Sequence, residues 1–173
     1  MSTLALDVPW SYQGMGTLQE LYRSMQNKAL VGKLFSVLTQ RSRNLSDLTT
    51  EISHRRMLRQ HSAGSRTVAI QRIKGTEGRS SDFDCDFNPL HARTRDRWMS
   101  IANARIQGDT LPLVQLIQLG DEYFVRDGHH RISVARALGE EYIDAKVIVL
   151  EFELRSVLPS TFTTFELDNL QQR

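Results

Sequence analysis

The spacing of apolar residues along the chain changes several times, and each change predicts an element. Leu18, Leu21, Tyr22, Met25, Ala29, Leu30, Leu34 and Leu38 recur at helical intervals. Thr17-Leu-Gln-Glu20 precedes them as a capping box, so a helix should run to about Gln40. A second helix should start at Ser46, with Leu48 and Ile52 on its apolar side. Arg55, Arg56 and Arg59 would then sit at its negative end. Ser62-Ala-Gly-Ser-Arg66 reads as a linker. Thr67–Ile73 has the composition of a strand, with Val68 and Ile70 on one side, and Lys74–Ser81 is a glycine-bearing loop.

Thr94 can cap a helix that runs to about Ala104 and turns Trp98, Ile101 and Ala102 inward. Gly108 and Pro112 punctuate the next connection. Leu113–Leu119 and Glu122–Val125 flank Gly120-Asp121 and predict a hairpin. A helix from His129 to Leu138 should end on a left-handed Gly139. Tyr142–Leu150 is the last clear strand. Residues 1–16 read as an arm broken by Pro9, Gly14 and Gly16. Phe152, Leu158, Phe162 and Phe165 make residues 151–173 apolar enough to pack on the domain.

Two helices followed by strand, helix, hairpin, helix and strand give an α+β fold. The expected division is a helical arm at 1–66, a domain at 67–150 and a packing tail at 151–173. At 173 residues the chain can bury roughly 70% of its unfolded surface without staples. The single cysteine, Cys85, excludes an internal disulfide and fits a reducing compartment. No apolar run reaches membrane-span length, and the N-terminus lacks the layout of a secretion signal. The expectation is a soluble cytoplasmic protein with no membrane partner.

The formal charge of +2 is uneven. Residues 1–66 hold nine Lys/Arg against four Asp/Glu, whereas 67–150 are close to balanced. Arg41, Arg43, Arg55, Arg56 and Arg59 form the basic excess, a candidate surface for DNA or an acidic protein partner. A solvated helix face is the plainer account. The leucine-rich first helix suits packing or a homodimer face.

Tyr123-Phe-Val-Arg-Asp-Gly-His-His-Arg-Ile-Ser-Val-Ala-Arg-Ala-Leu-Gly139 carries the candidate chemistry. A strand meets a helix at Gly128, which lets backbone approach a ligand. The first N–H groups of that helix favour an anion. Arg131 can grip phosphate oxygens, and His129 or His130 can move a proton near neutral pH. A structural turn capped by Asp127 is the competing account. Asp82-Phe-Asp-Cys-Asp86 places carboxylates at alternate positions. They could hold Mg²⁺, but pairing with Arg79, Arg95 or Arg97 is the expected role, with Phe83 and Phe87 turned inward. The five histidines have no zinc-ligand spacing, so no metal site is assigned. A dinucleotide-binding glycine fingerprint and a P-loop are both absent.

Residues 67–150 resemble the N-terminal domain of the ParB partition proteins, which shares its fold with sulfiredoxin. The resemblance follows the element order, with Leu111-Pro-Leu-Val-Gln-Leu-Ile117 before the box and Glu141-Tyr-Ile-Asp-Ala-Lys-Val147 as closing strand. It implies a ParB/sulfiredoxin-like domain with a helical N-terminal appendage. It also implies a nucleotide- or phosphate-binding protein, regulatory and DNA-associated. Asp127, Gly128, His129, His130 and Arg131 would line the phosphates, and Arg79 would add a contact. ATP or CTP and Mg²⁺ are the implied cofactors. A kinase of the same fold implies Glu77 as acid, with His129 a second catalytic candidate. That makes a small-molecule kinase or nucleotide hydrolase the alternative, and an interaction module without ligand the third reading. His129 stands where sulfiredoxin has its cysteine, so thiol chemistry is not expected. Only 23 residues follow Leu150, too few for the DNA-reading domain of a partition protein.

Overall fold

Gly120 (φ 60°) turns β4 (Val114–Leu119) back onto β5 (Glu122–Asp127), and this antiparallel hairpin is the centre of the molecule. The computed structural model describes residues 18–40, 43–78 and 81–153. Thr17 and the segments 1–16 and 154–173, for which an arm and a packing tail were expected, lie outside them, as do Arg41 and Arg79.

The chain runs α1 (Leu18–Thr39), β1 (Ser46–Asp47), α2 (Leu48–Ile52), β2 (Met57–Ala69), β3 (Ile73–Thr76), α3 (Arg95–Ile106), β4, β5, α4 (His129–Ala137) and β6 (Tyr142–Phe152). It is an α+β architecture with an N-terminal helix. Among the described residues six strands line up as β1-β3-β5-β4-β6-β2. β3 lies parallel to β1 and β5, and β6 lies parallel to β4, while β2 is antiparallel to β6. Gly75 sits where β1, β3 and β5 are closest, because a Cβ there would strike the Ser46 carbonyl and the Phe124 ring.

Alternation along the strands separates two apolar layers. Val68, Ile73, Leu116, Val125 and Val147 face α4 through Ile132 and Ala135. Ile117, Phe124 and Leu150 face the other way, onto Leu48. α1 and α3 close the α4 side through Leu21, Tyr22, Met25, Trp98, Ala102 and Val134. Tyr22 meets Trp98 edge-on at 5.3 Å, and Trp98 Nε1 donates to Ser133 Oγ at 2.9 Å, so the one polar atom of that buried ring is satisfied. Arg105 forks onto Glu140 at 2.8 and 2.6 Å and pins the end of α3 to the end of α4.

Several expectations need correction. The second helix is α2 alone, five residues beginning after Asp47, whose carboxylate takes the Thr49 N–H at 2.8 Å. Arg55 and Arg56 therefore lie in the turn after it, and Arg59 lies on β2. Ser62–Arg66 is not a linker. It belongs to β2, a thirteen-residue edge strand with register shifts between Met57 and Arg59 and between Ser62 and Gly64. Strand and sheet thus reach back well before residue 67. The strand expected over Thr67–Ile73 is divided by a 3₁₀ turn at Ile70–Arg72. Thr94 does not cap α3 with its side chain. Its hydroxyl donates to the His91 carbonyl at 2.7 Å and meets the Tyr22 hydroxyl at 3.2 Å. Gly139 (φ 78°) ends α4 as expected, with Glu140 N–H on the Ala135 carbonyl at 2.9 Å.

Candidate functional site

β3 and β5 run parallel, so their C-terminal ends, Thr76 and Asp127, deliver side chains to one end of the sheet. Gly128 follows β5 at φ 103°, ψ 20° and serves as N-cap of α4. A Cβ there would lie 2.6 Å from Val114 Cγ1, so glycine is required by backbone angle and by space together. Ile132 N–H returns to the Gly128 carbonyl at 3.0 Å, which fixes the helix start. The amides of His129, His130 and Arg131 precede that first intrahelical bond.

His129 is 4% exposed and its Nε2 lies 2.6 Å from Thr76 Oγ1. Thr76 is fully buried, and its hydroxyl also lies 3.3 Å from the Val125 carbonyl. A carbonyl cannot donate. Both contacts are hydrogen bonds only if the hydroxyl proton points to Val125 and Nε2–H donates to Thr76. This places a proton on His129 Nε2 on hydrogen-bond grounds. Phe83 holds both imidazoles, stacked on His129 at 6.1 Å and edge-on to His130 at 5.2 Å. His130 is half-buried.

The other predicted ligands have partners of their own. Arg131 donates through Nη1 to the Pro112 and Leu113 carbonyls and through Nη2 to Asp127 Oδ2, 2.6 Å away. Asp127 is thus not the helix cap; it is the i,i+4 partner of Arg131. A phosphate contact from Arg131 would compete with these bonds. Glu77 follows Thr76, and its N–H bonds the Val125 carbonyl at 2.9 Å. Its carboxylate is forked by Arg126 at 2.7 and 3.1 Å. That hydrogen bond raises the guanidinium pKa of Arg126, with burial opposing. The structure brings Glu77, Asp127, Gly128, His129 and His130 to one end of β3 and β5.

The Asp82–Asp86 carboxylates are held by backbone amides and two arginines, with Arg43 near both Asp84 and Asp86. Asp84, 3% exposed, accepts the Asp86 and Asn88 amides at 2.9 and 2.8 Å and the Asn88 side chain at 2.9 Å. Asp82 takes Arg93, and Asp86 takes Arg43. These arginines replace the expected Arg95 and Arg97; Arg95 instead lies 4.0 Å from Asp96. Phe83 and Phe87 are inside, as expected. Burial first, then the Asp86 charge, push the Cys85 thiol up, which favours its protonated form. Among the described residues no three or more His, Cys, Asp or Glu side chains are grouped to hold a metal ion, and no helix is long and apolar enough to cross a membrane.

Among the described residues, the predicted basic residues do not form one arm. Arg43 packs beside Gly32 and binds Asp86, just before the edge strand β1. Arg55, Arg56 and Arg59 are exposed near the start of β2, the opposite edge of the sheet. Five strand spacings, roughly 24 Å, separate the two edges.

Thr76 and Phe83 join the site without a sequence signal that marks them. Thr76 stood inside a presumed loop, and no spacing in the sequence links it to His129. Phe83 was visible as an apolar residue between two aspartates, without an indication of which rings it meets.

No protein-family model matches the chain, and no curated protein matches it. Among solved structures, sulfiredoxin from Arabidopsis thaliana is similar in part, at 18% identity and a TM-score of 0.34, over 48% of this chain and 82% of that one. A likeness of that size carries nothing about ligand or activity.

Proposed function

We propose that the chain is a ParB-like phosphate- or nucleotide-binding protein with a regulatory role, its ligand seated at Gly128, His129 and His130. The observation that carries this reading is the Gly128 turn. It combines a left-handed glycine with no room for a Cβ, the leading amides of a nine-residue helix and two imidazoles on the first turn. Such a turn offers N–H donors and positive dipole to an anion. Arg126 is paired with Glu77, so the attraction for an anion rests on the helix amides and the imidazoles. Arg79 joins the ligand shell in this reading.

Thermal denaturation with ATP, CTP, GTP and pyrophosphate, each with and without Mg²⁺, tests it. A ligand at 100 times its dissociation constant adds about 2.7 kcal/mol. His130→Ala should weaken that shift. Absence of a shift with every phosphate compound refutes the reading and leaves an interaction module.

One observation favours an enzyme as second reading: Thr76 bonds His129 while its neighbour Glu77 carries a carboxylate at the same strand end. A small-molecule kinase or nucleotide hydrolase would use Glu77 as acid–base group and His129 beside it. Nucleotide turnover that is lost in Glu77→Gln supports this; binding without turnover rejects it. For DNA, the surface left in one place is Arg55, Arg56 and Arg59. Salt-dependent binding that survives neutralising all three would eliminate that role.

A further inference from the structure

α1 docks through one side only. Leu21, Tyr22, Met25, Ala29 and Gly32 are buried against the body. At about 100° per residue, the outward side carries Glu20, Arg23 and Asn27 over the first turns. From Leu30 onward the same side becomes apolar. Leu30 is 62% exposed, Val31 52%, Leu34 67%, Phe35 59%, Val37 73% and Leu38 80%. A monomer rarely leaves so much contiguous apolar surface in water.

We propose that this stripe is the contact between two copies of the chain, paired antiparallel through the second halves of their α1 helices. The order of the side chains is the first argument. Leu30, Val31, Leu34, Val37 and Leu38 read the same in both directions about Leu34, in spacing and in residue type. A two-fold contact requires that if one residue meets a second, the second meets the first. Here Leu30 meets Leu38 of the partner copy, Val31 meets Val37, and Leu34 meets itself on the axis. Charge is the second argument. No ionisable side chain lies within the stripe, as suits the dry centre of an interface. Lys28 and Lys33 flank it. Area is the third. The six side chains expose on the order of 600 Å² per copy, so covering them in full would bury at most about 1,200 Å² from these residues, the lower bound for a stable specific interface. This inference does not rest on the phosphate site.

Sedimentation velocity of the full chain over a range of concentrations should show a reversible dimer. Leu34→Asp places two carboxylates against each other on the axis and should weaken the dimer at least about a hundredfold. Leu34 is exposed in the single chain, so circular dichroism should show an intact fold; Leu34→Lys serves if it does not. In a Cys85→Ser background, Leu34→Cys should give a disulfide-linked dimer on mild oxidation, and Asn27→Cys should not. A chain that stays monomeric at every concentration overturns the proposal. So does a dimer indifferent to charge at position 34, or dimerisation seen only after removal of residues 154–173, which would make the chain's own tail the occupant.

Discussion

Gly128→Ala isolates the turn on which the candidate site depends. Alanine would have to hold φ near 103°, in left-handed territory that costs an L-residue about 1–2 kcal/mol. Its Cβ would press on Val114 at 2.6 Å from Cγ1 and 2.9 Å from Cβ. Val114 is 1% exposed at the start of a central strand, so relieving the contact means shifting a buried, β-branched side chain. Overpacking of this kind costs about 1–3 kcal/mol. Together the expected loss is about 3 kcal/mol, a fall in Tm of roughly 6–12 °C for a chain of this length. Urea and thermal denaturation measure it. Gly120→Ala is the control: φ is 60° and no atom lies within 4 Å of the new Cβ, so only the backbone term of about 1 kcal/mol remains. Adding Val114→Ala to Gly128→Ala should return part of the packing term as a coupling energy of about 1 kcal/mol. If Gly128→Ala costs no more than Gly120→Ala, Gly128 is not wedged against Val114 and the argument from close approach fails.

Two other expectations follow from the buried polar groups. Thr76→Val removes the Thr76 Oγ1 acceptor of the His129 Nε2–H and should cost about 1–3 kcal/mol, while Thr76→Ser should restore it; ¹⁵N spectra showing Nε2 without a proton in the unaltered protein would contradict the assignment. Cys85 gives up its proton at a higher pH than the same thiol in the unfolded chain. Its contribution to stability is therefore complete below the unfolded pKa and lost as pH rises through the folded one. Reaction with a disulfide reagent at mildly alkaline pH should be slower for the folded chain than in denaturant, and equal rates would show the thiol is not shielded.

What was legible in the sequence was whatever a local rule decides. α1 follows its leucines, the β4–β5 hairpin follows Gly120-Asp121, and α4 is bounded by Gly128 and Gly139. Periodicity fixes those elements without reference to the rest of the chain. Small polar residues over Ser62–Arg66 resemble a linker, whereas a ladder to Ala145–Ile148 makes them strand. Pairing across so many residues leaves no short-range mark. Asp127 was read as a cap from its place before a helix, but Arg131, one turn on, outcompetes the backbone for its carboxylate. The position of the box was readable from its glycine and histidines. Its wiring was not, since Thr76 and Phe83 reach it from another strand and a loop, and Arg126 is tied to Glu77, just beyond β3.

The strand order has a consequence for how the chain acquires its shape. Both edges of the sheet, β1 and β2, are made by residues before Ile70, yet they flank everything that comes later. Met57 finds its partner only at Phe152, and Ala69 only at Tyr142. During synthesis β2 must therefore wait, unpaired, for β6, the last described strand to be made. The loop closed by that pairing encloses β3, α3, the hairpin and α4, so its entropy is recovered late. Folding should be governed by the docking of β6 between β4 and β2, a step that fastens the beginning of the molecule to its end.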